Sequence, residues 1–346
     1  MSRKMLYQIP CILLIFICSE IAFAVTCATQ AQMTDAQRNA IENSARSLSA
    51  EIQTANLQAL QQNTLPSLAA NFSGITGAIE HLKPLVAPAT ITVNNLYLLD
   101  ASANPPAATP TDFYCGSPVV SFNFRSLPRG TYALAILHAT GVPQPQQISL
   151  VMAQAPPNRW LLAGFFAKPM MSAGHDGLWY WKAARAYSQS KMNWAAWLYY
   201  QTASDLLNPL SFLSSPNLQE LHREADQARP SNFPAAHPLV LTVQGVSYTV
   251  DAVATTTAFG ALDLDVRYTP SAAQAAQLAN PPMARQQVTQ IMSALIELHP
   301  GLRQAFHGIW VHAQQGSASL FALELPMETI AATPPPQAAE SASSGE

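Results

Sequence analysis

The chain has 346 residues, 49% hydrophobic and only 11% charged, with 17 basic against 20 acidic side chains and a formal net charge of −3. So little positive charge leaves nothing to grip a phosphate backbone, which excludes a nucleic-acid binder on electrostatic grounds. The length and apolar content suffice for more than one core, and neutral polar residues carry the surface, a composition that suits a secreted or periplasmic protein.

The first element is an address. Arg3 and Lys4 precede a short apolar run over 12–17, and Ala22-Phe23-Ala24 is an A-x-A cleavage site, which together predict a secretory signal peptide over 1–24. A lipoprotein anchored at Cys27 is the lesser reading. Ala24 stands where a lipobox carries a branched aliphatic, and Thr26 where it carries a smaller residue. No window reaches 18 consecutive apolar residues, so no membrane span is expected in the mature chain. Cys11 and Cys18 leave with the signal, and Cys27 and Cys115 remain as a candidate disulfide in an oxidising compartment. The alternatives are a lipidated or unpaired Cys27 and a buried Cys115 thiol. The location expected is periplasmic or extracellular.

An N-terminal α+β domain is expected over 34–170. Ile41, Ala45, Leu48, Ile52, Ala55 and Ala59 recur at helical spacing and predict one amphipathic helix from Thr34-Asp35 to about Gln62. A second helix is expected over 65–82, interrupted near Gly74 and Gly77 and stopped by Pro84. Strands follow at 91–93 and 96–99, and a Pro/Ala-rich loop is expected over 101–111. Val120, Phe122 and Phe124 then alternate with polar residues, the period of a half-buried strand. The segment 131–139 is apolar on both faces and reads as a central strand, and 147–153 and 159–167 complete the sheet.

Two helices followed by a bent antiparallel sheet ending on Trp160-Leu161-Leu162-Ala163-Gly164-Phe165 resemble, over 45–168, the nuclear-transport-factor-like or cystatin-like cone fold. That resemblance implies a pocket inside the cone. His138 shares a strand face with Tyr132, Leu134 and Ile136, so it is the polar group such a pocket would present.

A helical hairpin is expected over 171–229, with Asp176 as N-cap. Tyr180, Ala183, Ala184, Tyr187, Ala196, Tyr200, Ala203 and Pro209 resemble a single tetratricopeptide repeat, with Ala184 and Lys191 standing where Gly is usual. The register implies that Trp181, Arg185, Ser188 and Gln189 lie on the face that lines a peptide groove, with a helix near 217–227 capping one side. The plain alternative is that Trp181 packs on the adjoining sheet.

A linker over 230–238 leads to a β-rich domain over 230–330. Leu262, Leu264, Val266 and Tyr268 alternate with Asp263, Asp265 and Arg267, giving one buried and one wet, charge-balanced face. Asn280 caps a helix with the stripe Val288, Ile291, Leu295 and Leu298, and strands are expected at 305–312 and 318–325. His307 and His312, five apart on that strand, are expected on opposite faces, and His222 with Asp226 lacks further ligands, so no metal site is expected. The tail over 331–346 reads as disordered.

No G-x-S-x-G, H-E-x-x-H or phosphate-cradling Gly loop occurs, so no catalytic residue or cofactor is expected. The whole resembles exported bacterial proteins. The fold class is α+β: helices with a bent, cone-like sheet, a helical hairpin and a C-terminal β-rich unit. The expected role is non-catalytic binding or scaffolding in the cell envelope, with another envelope protein or a peptide as partner. A small-molecule-binding or hydrolytic cone domain near His138 is the alternative.

Overall fold

A computed structural model describes residues 25–330 apart from 235–236 and 259. The expected signal peptide and tail lie outside the described residues. The chain is an α+β protein.

Strand β1 (Thr26–Thr29) opens the N-terminal unit, which therefore begins before residue 34. Helix α1 (Asp35–Thr54) starts at a capping box in which Thr34 and Gln37 satisfy each other's exposed backbone donors. Ile41, Ala45, Leu48 and Ile52 are buried as their spacing predicts. The helix does not reach Gln62, however. Ala55 turns into the left-handed region (φ 52°), and the Asn56 side chain caps a separate helix, α2 (Leu57–Gln62). A local side-chain cap outcompetes continued periodicity here.

A short α3 (Pro66–Ala69) precedes α4 (Ser73–Val86), which runs through Gly74, Gly77 and Pro84. Pro84 cannot donate to the helical ladder, and the helix runs only two residues beyond it, to Val86, so the expected stop comes slightly late. Strand β2 (Thr90–Asp100) joins the two expected strands into one with a bulge between Val93 and Asn95. Strand β3 (Thr109–Cys115) begins inside the expected loop and pairs with β4 (Val120–Leu127). Strands β5 (Thr131–Thr140), β6 (Gln146–Ala155) and β7 (Arg159–Pro169) complete an antiparallel sheet in the order β1-β2-β5-β6-β7, with β5 central.

Both faces of this sheet are dry. Ala133, Ala135, Leu137 and Ala139 pack with Ile41, Leu48, Ile52, Ile79 and Leu82 of α1 and α4. Tyr132, Leu134 and Ile136 face the opposite way, into a core that includes Phe113 and Phe122 of the β3–β4 pair. Tyr97 meets Phe122 edge to face at 4.9 Å. Cys27 on edge strand β1 is disulfide-bonded to Cys115 at the end of β3, across 88 positions. A bonded Cys27 is neither lipidated nor free, and the bond marks an oxidising, exported location.

A two-stranded ribbon of β8 (Met171–Ser172) and β9 (His175–Asp176) leads into helices α5 (Gly177–Gln189) and α6 (Asn193–Leu207). Strand β10 (Leu213–Ser214) adds to β4, and α7 (Pro216–Ala228) packs on α6. The segment from Pro230 is not free: Phe233 packs against Trp194 at 4.7 Å and Trp197 at 6.1 Å.

The C-terminal sheet comprises β11 (Leu239–Val243), β12 (Val246–Thr256), β13 (Asp263–Thr269), β14 (Gly308–Gln315) and β15 (Ala318–Pro326) in that order. Between β13 and β14 run α8 (Ala272–Gln277), α9 (Pro281–Leu298) and α10 (Leu302–Ala305). This helical crossover makes β13 and β14 parallel, whereas the other pairs are antiparallel. Asn280 caps α9, and Val288, Ile291 and Leu295 are buried, but Leu298 is exposed at the helix end. One continuous core joins the second face of the first sheet, the helical hairpin and this sheet. The buried Tyr199 hydroxyl donates to Ala305 O at 2.6 Å, tying hairpin to C-terminal unit.

Among the described residues, no helix is long and apolar enough to cross a membrane.

Candidate functional site

The hairpin is assembled by close approach. The Asp176 carboxylate caps α5 by accepting from Trp179 N at 2.8 Å. Gly177 is required by space: a Cβ there would lie 2.6 Å from Leu207 Cγ. Lys191 takes the left-handed region (φ 59°) in the turn between the helices, a conformation a side chain adopts at a cost. Tyr180, Ala184, Ala196, Tyr200 and Ala203 are buried, and Ala183 and Tyr187 are half-buried against them.

Trp181 and Arg185 share a face of α5, and that face is occupied by α7. Glu224 of α7 accepts from Trp181 Nε1 at 2.8 Å, from Arg185 Nε and Nη2 at 2.7 Å each, and from the Tyr200 hydroxyl at 3.2 Å. The Arg185 guanidinium also lies 4.6 Å over the Trp181 ring. The Arg185 hydrogen bonds, helped by Trp181, hold the Glu224 carboxyl down at about 2. Burial, reinforced by Glu224, pushes the Tyr200 hydroxyl up to about 12. Trp181 thus meets α7 through Glu224 and is half-buried against the core. Ser188 is half-buried and Gln189 exposed at the far end of the same helix.

The first turn of α5 is more open. Leu178 is 53% and Trp179 41% exposed, and the Trp179 ring lies flat on His175 with centroids 3.6 Å apart. These residues sit in the densest aromatic stretch of the sequence, but the groove register pointed away from them. Glu224 carried no signal of its own, because one Glu on an amphipathic helix is ordinary.

His138 sits near the end of β5, where its Nε2 lies 3.3 Å from Gln147 Nε2 of the neighbouring strand. Burial pushes its imidazole below the usual histidine value. His138 lies on the face of β5 that carries Tyr132, Leu134 and Ile136, away from the α1 and α4 side chains, and it lines neither of the two clefts described next. Clefts do lie elsewhere. One of about 680 Å³ is lined by Lys191, Trp194, Arg229, Asn232 and His299, with Trp194 stacked on His299 at 4.3 Å. Another of about 630 Å³ lies between α4, β7, α6 and β12.

The face of β13 expected to be wet is only partly so. Asp263 is fully buried, and Asp265 is paired with Arg267 at 3.0 Å and His312 at 3.5 Å. His307 precedes β14 by one residue, so strand alternation does not govern it, and its Nδ1 lies 3.1 Å from Asp263 Oδ1. His307 and His312 therefore meet carboxylates of one strand face, against the expectation of opposite sides. His222 pairs with Ser204 Oγ at 3.0 Å. Among the described residues, the group able to hold a metal is Asp263 with His307 and Glu324.

Comparison of the chain with protein-family profiles, curated proteins and solved structures finds no match.

Proposed function

We propose that this chain is a non-catalytic binding protein of the cell envelope, periplasmic or extracellular, that holds another envelope protein or a peptide on the solvent side of its aromatic hairpin. The observation that supports this is the pair Leu178 and Trp179, exposed side by side on the first turn of α5 and backed by the His175 stack. An exposed Trp on a rigid base is interface chemistry, since a preordered aromatic loses little entropy on binding. The Glu224 network supplies the rigidity by holding α5 to α7 through Trp181 and Arg185.

The test is crosslinking of the mature chain in its own envelope fraction, comparing native protein with Leu178→Ser/Trp179→Ala and with Trp181→Ala. A partner lost only from the first variant, at unchanged melting temperature, supports the reading. Equal recovery of the same partner by both variants rejects it.

A small-molecule role is the second reading, favoured by the Trp194–His299 stack in a cleft bordered by Lys191 and Arg229. Two cations beside a flat aromatic pair suit an anionic ring compound, and a thermal shift with such compounds that disappears in Arg229→Ala tests it.

A further inference from the structure

The outer face of the C-terminal sheet carries a cluster that the hairpin does not use. Asp263 at the start of β13, His307 just ahead of β14 and Glu324 on β15 each offer one ligand atom, and these atoms lie within 4.8 Å of one another. Three neighbouring strands supply them.

Asp263 is the member that ordinary packing does not explain. It is fully buried, its Oδ1 meets His307 Nδ1, and its Oδ2 is buried with no hydrogen-bond partner. A carboxylate oxygen in that state costs more than a polar group left in water. Gly308 forms the floor beneath it. A Cβ on Gly308 would stand 2.5 Å from Glu324 Oε1 and 3.1 Å from Asp263 Oδ1, so both carboxyl groups lean over bare backbone. Arg267 does not reach the cluster as a partner, because its guanidinium is engaged by Asp265 at 3.0 Å.

We propose that Asp263, His307 and Glu324 bind a divalent transition-metal ion of the zinc class. One imidazole nitrogen and two carboxylate oxygens suit such an ion, whereas calcium and magnesium prefer oxygen alone. Donors about 2.1 Å from a tetrahedral ion stand roughly 3.4 Å apart. Reaching that spacing from the present one takes rotation of His307 and Glu324, the two members that are not fully buried. Three protein ligands leave a fourth position open to solvent.

The test uses the tag-free mature chain, stripped with chelator and titrated calorimetrically with zinc chloride, with calcium chloride as contrast. One equivalent of zinc binds and raises the melting temperature, and calcium binds at least tenfold more weakly. His307→Ala and Glu324→Gln each weaken zinc binding at least tenfold while the chelator-treated protein keeps its circular dichroism. His307 is exposed, so its variant alone decides the matter should Glu324→Gln misfold. Absence of zinc uptake by the native chain, or equal affinity in His307→Ala, overturns the proposal, and so does calcium binding as tight as zinc.

Discussion

The two five-stranded sheets have the same number of strands and opposite economies. The first is dry on both faces, with α1 and α4 on one side and the β3–β4 pair and hairpin on the other. Its central strand accordingly consists almost wholly of Ala, Leu, Ile and Tyr, and its one histidine is left near the end. The second is dry toward α9, while its other face carries Asp263, Asp265, Arg267, His312 and Glu324. A sheet covered twice uses its side chains for packing. One covered on a single side leaves a face where charged groups from several strands meet, and chemistry collects there.

The strongest way to break this contrast is to unclip the first sheet. Replacing both Cys27 and Cys115 by Ser opens an 88-position loop, and is expected to cost about 4–5 kcal/mol by the chain-entropy argument. Urea unfolding checks it: the midpoint falls steeply, and a loss below about 1 kcal/mol means that strand pairing alone holds β1. Next in size is Leu137→Ala in the doubly covered strand, expected to cost about 3 kcal/mol in lost burial and cavity formation. The same urea curves for Arg267→Ala on the polar face should move by less than about 1 kcal/mol, since Arg267 is half exposed and Asp265 keeps His312 at 3.5 Å.

Glu224→Gln probes the seam between hairpin and α7 and is expected to cost about 2 kcal/mol, less than the full shift implies because Arg185 is partly exposed. Its sign with pH is fixed. The folded carboxyl titrates near 2, below its ordinary value of 4.5, so its contribution is complete above the ordinary value and disappears as pH falls through 2. The stability difference between native and Glu224→Gln should therefore narrow from pH 6 to pH 2, as followed by urea midpoints.

Asp263→Asn sharpens the comparison from the other sheet. Removing a buried charge whose Oδ2 has no partner should stabilise the metal-free protein by about 1 kcal/mol and abolish any zinc-induced rise in melting temperature. Trp179→Ala should change stability by less than about 1 kcal/mol, since the ring is 41% exposed, although it meets Tyr180 at 5.0 Å and Tyr199 at 6.1 Å besides its stack on His175. A collapse of the melting temperature instead would make Trp179 a packing residue and end its case as a contact surface.

Much of the fold was legible in local pattern. The buried stripe of α1, the central position of β5, the Asp176 and Asn280 caps and the alternation in β13 all follow from which residue types recur at which spacing. A local signal overrides the periodicity at Asn56, whose side-chain cap splits a helix, while α4 runs two residues past Pro84 before it ends. The candidate surfaces were less legible. Trp181 and Arg185 were correctly placed on one helix face, but nothing near them in sequence announced that Glu224, 39 positions from Arg185, fills that face.

Composition and periodicity alone determined an α+β chain with more than one apolar layer, and left Cys27 and Cys115 as the candidate disulfide. Only the tertiary structure decided that Glu224 closes over Trp181, and that Asp263, His307 and Glu324 converge above Gly308. The reason is physical: periodicity records which face a residue occupies, whereas strand register and helix docking set what it meets, and those are fixed by packing between segments far apart in the chain.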